Sequence, residues 1–361
     1  MRVLIEFDHK PLLFKRPKRS IVCFRPERVA SAFEEIEEAL AAGYYVAGFL
    51  SYEAGFAFEP TLAPLTRGHF PLMYFGVYGA PAKELPDEPL DFKIDGIKAN
   101  ISKENYFQAI EKIRAGIASG DVYQITYCLK MIAAFSGSPW GLYRALKKAQ
   151  PVPYAAYLEA EPYQILSLSP EMFVRKTGAQ VVTKPMKGSW PSGQCPFLNW
   201  IGRRKLKYSP KNRAENVMIA DLLRNDLGRI GTNIRAPKLF EVDSYRTIHQ
   251  MTSTVVADVR QDIPVIELFK AIFPSGSVTG APKIRAMEMI RGLETEERRI
   301  YTGAIGYIAP NRDMFFNVPI RTILIDDNKA EMGIGGGIVW DSTPEGEWEE
   351  GLWKARFLTE L

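Results

Sequence analysis

Histidine and cysteine are scarce in this chain of 361 residues, which contains three of each. The cysteines, Cys23, Cys128 and Cys195, are widely spaced and form no CxxC or Cys/His pair. Three histidines are too few for a polyhistidine metal site. We therefore expect no zinc module, and we expect reduced thiols in a cytoplasmic protein.

Long apolar runs and a dominant charge are missing as well. No segment reaches the run of about 18 apolar residues that a membrane-spanning helix needs, and the first residues, MRVLIEFDHK, lack the apolar core of a signal peptide. The 46 Lys+Arg and 42 Asp+Glu leave a net charge of only +4, too balanced for electrostatic binding of nucleic acid. The basic run 202–213 is interpreted as a loop beside an anionic substrate.

What is present is an ordinary globular composition, with 46% hydrophobic and 24% charged residues. Apolar residues at helical spacing predict helices over 28–43, 104–121, 213–226, 281–293 and about 344–358. Short apolar or alternating runs predict strands over 44–52, 123–131, 154–160, 163–169, 179–187, 303–310, 314–326 and 329–340, the last three as a meander.

Several of these strands are separated by two to four residues, which favours antiparallel hairpins over crossovers. Regular alternation of strand and helix is absent, so the pattern predicts an α+β fold with large antiparallel sheets. The proline-rich stretch 79–89 is interpreted as a linker. It divides the chain into an amino-terminal segment, 1–90, and a core, 91–361.

The last predicted helix places Glu347, Glu350 and Lys354 on one face. Two carboxylates this close repel each other unless a cation or a proton lies between them. Magnesium suits such a pair, because it takes few carboxylates together with substrate oxygens. The alternative is a solvated acidic face with a Glu350–Lys354 ion pair.

Other candidate residues also have a structural and a chemical interpretation. Glu215 is either a favourable acid near a helix start or a ligand. Lys187 is either exposed or, beside apolar residues, a neutral nucleophile. His249 is either a hydrogen-bonded core residue or part of a site, and the glycine-rich runs 273–283 and 333–339 are either tight turns and bulges or places where a ligand approaches the backbone.

Taken in order, the motifs resemble those of the chorismate-utilising enzymes. They are SGDVYQITY (119–127), LSLSPEMF (166–173), TKPMKGSWP (183–191), RAENVMIADLLRNDLGR (213–229), FPSGSVTGAPKIRAMEMI (273–290) and EGEWEEGLWKA (345–355). That family includes component I of anthranilate and aminodeoxychorismate synthases, isochorismate synthases and salicylate synthases. The resemblance implies a composite sandwich of two antiparallel sheets with outer helices, α/β/β/α, and a chorismate-binding core.

Two positions discriminate among the reactions of the family. Isochorismate and salicylate enzymes carry a water-activating lysine where this chain has Gln124, and anthranilate synthases usually carry alanine where it has Lys187. The resemblance therefore implies that chorismate and ammonia yield aminodeoxychorismate, for p-aminobenzoate and folate, through a covalent Lys187 adduct. Anthranilate synthase component I is the alternative.

The resemblance also assigns roles to the site residues. It implies that Glu171 is the acid/base, that His249 lies near the leaving hydroxyl, and that Mg²⁺ is the cofactor. The implied magnesium ligands are Glu215, Glu350 and Glu347, and the implied substrate contacts are Arg321, Tyr301, Thr279, Gly335, Gly336, Gly337 and Lys354.

No cysteine of this chain lies in a nucleophile elbow of the G-x-C-x-G type, so a glutaminase is not expected within it. The resemblance implies a separate glutamine amidotransferase subunit that delivers ammonia, in a heterodimer. It also implies a separate aminodeoxychorismate lyase downstream.

Overall fold

The computed structural model describes residues 1–359 except 67, 69, 83, 84, 86, 87, 194, 246 and 247. Four residues of the predicted linker 79–89 therefore lie outside the described part of the chain.

Eight α-helices occur within the described residues. They are α1 (Val29–Ala41), α2 (Lys103–Ala118), α3 (Pro139–Ala149), α4 (Pro196–Tyr208), α5 (Pro210–Gly228), α6 (Val265–Ile272), α7 (Lys283–Leu293) and α8 (Pro344–Thr359). Serine side chains cap the starts of three of them: Ser102 accepts a hydrogen bond from Asn105 N, Ser138 from Gly141 N, and Ser209 from Asn212 N.

Nineteen strands occur in the same described part of the chain. They are β1 (Arg2–Phe7), β2 (Lys10–Phe14), β3 (Arg19–Cys23), β4 (Tyr45–Leu50), β5 (Met73–Tyr78), β6 (Phe92–Ala99), β7 (Gln124–Gly137), β8 (Tyr154–Ala160), β9 (Tyr163–Ser169), β10 (Met172–Thr177), β11 (Gln180–Lys184), β12 (Met186–Pro191), β13 (Gly231–Ser244), β14 (Ile248–Val259), β15 (Gly280–Ala281), β16 (Ala304–Ile308), β17 (Met314–Asn317), β18 (Thr322–Asp326) and β19 (Lys329–Ile338).

These strands form two antiparallel sheets. The first sheet has the order β15-β7-β19-β18-β9-β8-β1-β2, with β6 also paired to β7. The second has the order β12-β14-β11-β10-β17-β16-β4-β5-β3, with β13 also paired to β14. The first five strands extend both sheets, and the division of the chain at residue 90 stays a prediction.

Three buried clusters show how the layers pack. One, which includes Ile5, Phe49 and Leu324, lies between the two sheets. The second packs α1, α5 and α6 against the outer face of the second sheet, and the third packs α2, α3, α7 and α8 against the outer face of the first. The order of layers is therefore helix, sheet, sheet, helix, and the predicted α+β sandwich is confirmed.

The structure corrects two strand predictions. The run 179–187 breaks at Pro185 into β11 and β12, because proline has no N–H to give to the ladder. The run 314–326 is not one strand of a meander: β17 lies in the second sheet and β18 in the first. The chain crosses between the sheets at 318–321, where Arg321 has a φ of 51°.

The polar stretch around residues 221–229 divides between surface and interior. Asp221 and Arg224 form an exposed ion pair. Asp226 is buried on the other face of α5 and receives a 2.6 Å hydrogen bond from Lys283 Nζ at the start of α7. This buried pair links α5, which carries Glu215, to the first sheet's outer helices.

No helix among the described residues is long and apolar enough to cross a membrane.

We expect Lys283→Met to destabilise the fold by about 3 kcal/mol, because it leaves the Asp226 carboxylate buried without its cation. Arg224→Met, which removes the cation of the exposed pair on α5, is the matched control and should cost less than about 1 kcal/mol. The free energy of unfolding in urea measures both. Equal losses for the two variants would contradict the prediction.

Candidate active site

A cavity of about 230 Å³ lies between the ends of the two sheets. Strands β7 and β19 of the first sheet and β12 and β14 of the second provide walls, and α5 and α8 close the remaining sides. Most of the candidate residues meet here, although they are separated by up to half of the chain. The lining includes Glu171, Lys187, Glu215, Tyr301, Arg321, Gly335, Gly336, Gly337, Glu347, Glu350 and Lys354.

Lys187 is the nucleophile candidate on the cavity wall, and its side chain is only 9% exposed. Burial lowers the pKa of its amine, although the carboxylate of Glu215 acts in the opposite direction. A Cβ on Gly337 would lie 2.8 Å from Lys187 Nζ and 2.4 Å from Gln124 Nε2. Glycine at position 337 therefore leaves the space in which the amine stands.

Glu171 is the acid/base candidate, and it is buried beside the loop that precedes β15. Ser277 Oγ donates a 2.6 Å hydrogen bond to Glu171 Oε1, and Ser275 Oγ lies 2.9 Å from Ser277 Oγ. Burial raises the pKa of Glu171 to about 7, while Ser277 and the charge of Lys187 oppose that rise. The side chain is thus able to give or take a proton near neutral pH.

The acidic face of α8 points into the cavity, as its spacing indicates. Glu350 Oε1 lies 2.7 Å from Lys354 Nζ, and this ion pair lowers the pKa of Glu350. Glu347 accepts a 2.6 Å hydrogen bond from Ser342 Oγ, and burial raises its pKa. Glu215 faces both of them from α5, and burial raises its pKa too.

The opposite wall is suited to an anion. Arg321 donates one hydrogen bond to Gln150 Oε1 at 2.9 Å, and burial lowers the pKa of its guanidinium to about 10. A buried guanidinium gains most from a bidentate carboxylate partner. Tyr301 lines the same cavity and packs on the face of Gly333, where a Cβ would lie 2.2 Å from the ring.

His249 is not among the described residues that line this cavity, and its role near the leaving hydroxyl stays a prediction. It lines a neighbouring open groove of about 1090 Å³ between α4 and the outer face of the second sheet, and its Nδ1 lies 2.9 Å from Ser244 Oγ. The next residue, Gln250, faces the cavity. Successive residues of a strand point to opposite faces of the sheet. The side chain of Gln250 therefore lines the cavity, while that of His249 lines the groove.

Thr279 also lies outside the described lining of the cavity, and its contact with substrate stays a prediction. It is fully buried and donates from Oγ1 to Ser275 O at 3.0 Å, so it shapes the loop that carries Ser277 and does not line the cavity.

Arg298 is a residue that the sequence did not single out. It is buried, and it donates to Thr126 O at 2.7 Å and to Val278 O at 2.8 Å, both carbonyls of cavity-lining residues. It is held by Glu294, whose Oε2 accepts from Nε at 2.9 Å. The sequence analysis assigned Tyr301 to the site, and Arg298 lies three positions before it, but no sequence pattern assigned Arg298 to the site.

The carboxylates fit a metal site that water and substrate complete better than a site made of protein ligands alone. Among the described residues, no three His, Cys, Asp or Glu side chains converge closely enough to hold a metal ion by themselves. Magnesium does not need such a cage, because it is usually held by one or two carboxylates together with water and substrate oxygens. The cavity offers those carboxylates on α5 and α8, next to space for a ligand.

Comparison with known proteins agrees with this geometry. The sequence profile described as chorismate binding enzyme matches residues 80–360. The chain belongs to the chorismate binding enzyme family. Aminodeoxychorismate synthase component 1 of Klebsiella aerogenes is 38% identical over 70% of this chain and 56% of its own, and that of Escherichia coli is 37% identical over 73% and 59%. The chain thus matches little more than half the length of these relatives.

Anthranilate synthases are similar too. Component 1 from Aquifex aeolicus is 36% identical over 74% of this chain and 54% of its own. The crystal structure of anthranilate synthase component I from Streptococcus pneumoniae superposes with a TM-score of 0.83 at 26% identity, covering 99% of this chain and 92% of that one. A putative isochorismate synthase from Bacillus anthracis, at 21% identity and a TM-score of 0.81, shares the fold.

We expect Lys187 to titrate below 10.5, the value of an unperturbed lysine, because its charged form is poorly solvated. Reductive ¹³C-methylation of the lysines followed by NMR across a pH series would measure this. Lys187→Arg should remove the shifted resonance and so identify it. A resonance lost in that variant that titrates at or above 10.5 would contradict the prediction.

Proposed function

We propose that this chain is the chorismate-aminating component of an aminodeoxychorismate synthase. The observation that carries the proposal is the buried Lys187 amine, on the wall of a cavity that also presents Glu171 and Arg321. Family membership supports chorismate as the ligand, and the lysine distinguishes amination at C4 from the anthranilate reaction. Two carboxylates of chorismate would meet the two polar ends of the cavity.

The first step forms a bond between Lys187 Nζ and C2 of the chorismate ring. The ring double bonds shift and the C4–O bond breaks, so the hydroxyl leaves. Hydroxide is a poor leaving group, and Glu171 in its neutral form gives the proton that makes it water. Burial lowers the pKa of Lys187 and raises that of Glu171 to about 7, so both groups are shifted towards the uncharged forms that this step needs.

In the second step, the ring double bonds shift back to the positions that they have in chorismate. Ammonia forms a bond to C4, the bond between C2 and Lys187 Nζ breaks, and the lysine is regenerated. The proton that ammonia must lose passes to Glu171, which gave one up in the first step. Two displacements retain the configuration at C4, and the balance is chorismate plus ammonia to aminodeoxychorismate plus water.

The two ends of the cavity hold the substrate in place. Arg321 is suited to the enolpyruvyl carboxylate, and Tyr301 lines the same cavity. Glu215, Glu350 and Glu347 would hold Mg²⁺ beside the backbone of 335–337, where Gly336 lies next to the carboxylates of Glu347 and Glu350. When bound, the metal supplies positive charge for the ring carboxylate. Gln250 of β14 lines the cavity and would face the substrate beside Lys187.

The proposal includes the partners. Ammonia would come from a separate glutamine amidotransferase subunit, because the amination needs it unprotonated at the cavity. The name component 1 of the relatives in Klebsiella aerogenes and Escherichia coli supports a second component. A separate lyase would then convert aminodeoxychorismate to p-aminobenzoate for folate. The free thiols of Cys23, Cys128 and Cys195 support a cytoplasmic location.

The product formed from chorismate, Mg²⁺ and ammonium salts tests the function. We expect aminodeoxychorismate, identified by mass spectrometry, and a fall in its rate by at least about 10³-fold in Lys187→Ala, which lacks the nucleophile. Fluorescent anthranilate formed without an added lyase would instead assign the chain to the anthranilate reaction. Unchanged turnover in Lys187→Ala would remove the lysine from the mechanism.

The pH profile tests the role of Glu171. Ser277 stabilises the ionised carboxylate, so Ser277→Ala should raise the pKa of Glu171 by about one unit. A general acid works only while protonated, and the high-pH limb of kcat/KM should therefore move to higher pH. Ser277→Thr keeps the hydroxyl and should retain the original limb. A limb that stays in place in Ser277→Ala, or moves down, would contradict the assignment.

A further inference from the structure

The ammonium of Lys354 lies among the carboxylates that are candidates for metal binding. Its Nζ is 2.7 Å from Glu350 Oε1 and donates a 2.7 Å hydrogen bond to Gly335 O. One bond thus holds the lysine to α8 and the other to β19.

A single point beside Gly336 shows how close the charges are. A Cβ at that residue would lie 2.8 Å from Glu347 Oε2, 3.7 Å from Lys354 Nζ and 3.9 Å from Glu350 Oε1. The other oxygen of Glu347 accepts from Ser342 Oγ, so Oε2 is the one turned towards this point. The ammonium is therefore paired with Glu350, and it lies close to the same point on β19 as Glu347 Oε2.

A divalent cation and this ammonium compete for the same oxygen. Like charges within a few ångströms repel strongly in a partly desolvated site. A metal ion that takes Glu350 Oε1 as a ligand must therefore remove Lys354 from it. The pair is weak enough to be exchanged, since the side chains of Lys354 and Glu350 are 27% and 46% exposed and the attraction is screened by solvent.

We propose that Lys354 is an internal substitute for the divalent cation, and that metal binding transfers its ammonium from Glu350 to an anionic ligand. The inference rests on the proposed function, because it takes Glu350 as a metal ligand. The bond to Gly335 O keeps the released ammonium on the glycine strand that lines the cavity. There it meets a carboxylate of the substrate, and metal and substrate strengthen each other's binding by the same factor.

Mn²⁺ binding to the protein without chorismate tests this directly. The EPR signal of free Mn²⁺ gives the Kd for the unaltered chain and for Lys354→Met, which keeps the length of the side chain and loses its charge. We expect the Kd of Lys354→Met to be lower by about tenfold or more, because no ammonium competes. Lys354→Arg keeps the charge and should bind Mn²⁺ within a factor of about three of the unaltered chain.

Lys112→Met is the control for net charge, since Lys112 is an exposed lysine on α2, and its Kd should be unchanged. Circular dichroism confirms that each variant is folded. If the unaltered chain binds Mn²⁺ and Lys354→Met binds it no more tightly, the inference is overturned while the metal site stands. If neither protein binds Mn²⁺, the metal site fails together with the inference, and the amination assay still decides the reaction.

Calorimetric titration with chorismate measures the second half of the inference. Mg²⁺ should lower the Kd for chorismate in the unaltered chain by a larger factor than in Lys354→Met. An equal factor in both proteins would overturn the transfer of Lys354 to the substrate.

Discussion

Desolvation of charged groups between the two sheets is the constraint on which this site depends. Lys187 and Glu171 lie on one cavity wall where water is largely excluded, and each is pushed towards its uncharged form. An exposed lysine would be protonated at neutral pH, and an exposed glutamate would be ionised. The fold therefore shifts both side chains towards the forms that the proposed nucleophile and the proposed acid require.

The same desolvation explains the polar partners around the cavity. Glu171 is bound by Ser277, Glu347 by Ser342, and Glu350 by Lys354, so the buried or half-buried carboxylates receive hydrogen bonds or ion pairs. Arg321 has one described hydrogen bond to a neutral amide and is the group that gains most from an incoming anion.

The site also depends on the composite architecture. Glu171 and Arg321 lie at the ends of connections between sheets, Lys187 and Gln250 lie on the second sheet, and the glycines of β19 lie on the first. Arg298 joins the two cavity-lining segments through backbone carbonyls. Because the walls come from both sheets, the cavity exists only when the sheets are packed on each other.

The sequence by itself determined the α+β class, most helices, two strands to the residue, and a set of candidate site residues, most of which line the cavity. Periodicity carries that information: β8 and β9 match their predicted ranges, and the face of α8 follows from helical spacing. Tertiary structure alone decided which side of β14 meets the cavity, that 314–326 divides between two sheets, and that Thr279 supports a loop. These outcomes depend on strand register and on contacts between distant segments. A shift of one residue reverses every side chain of a strand, and local sequence does not specify it.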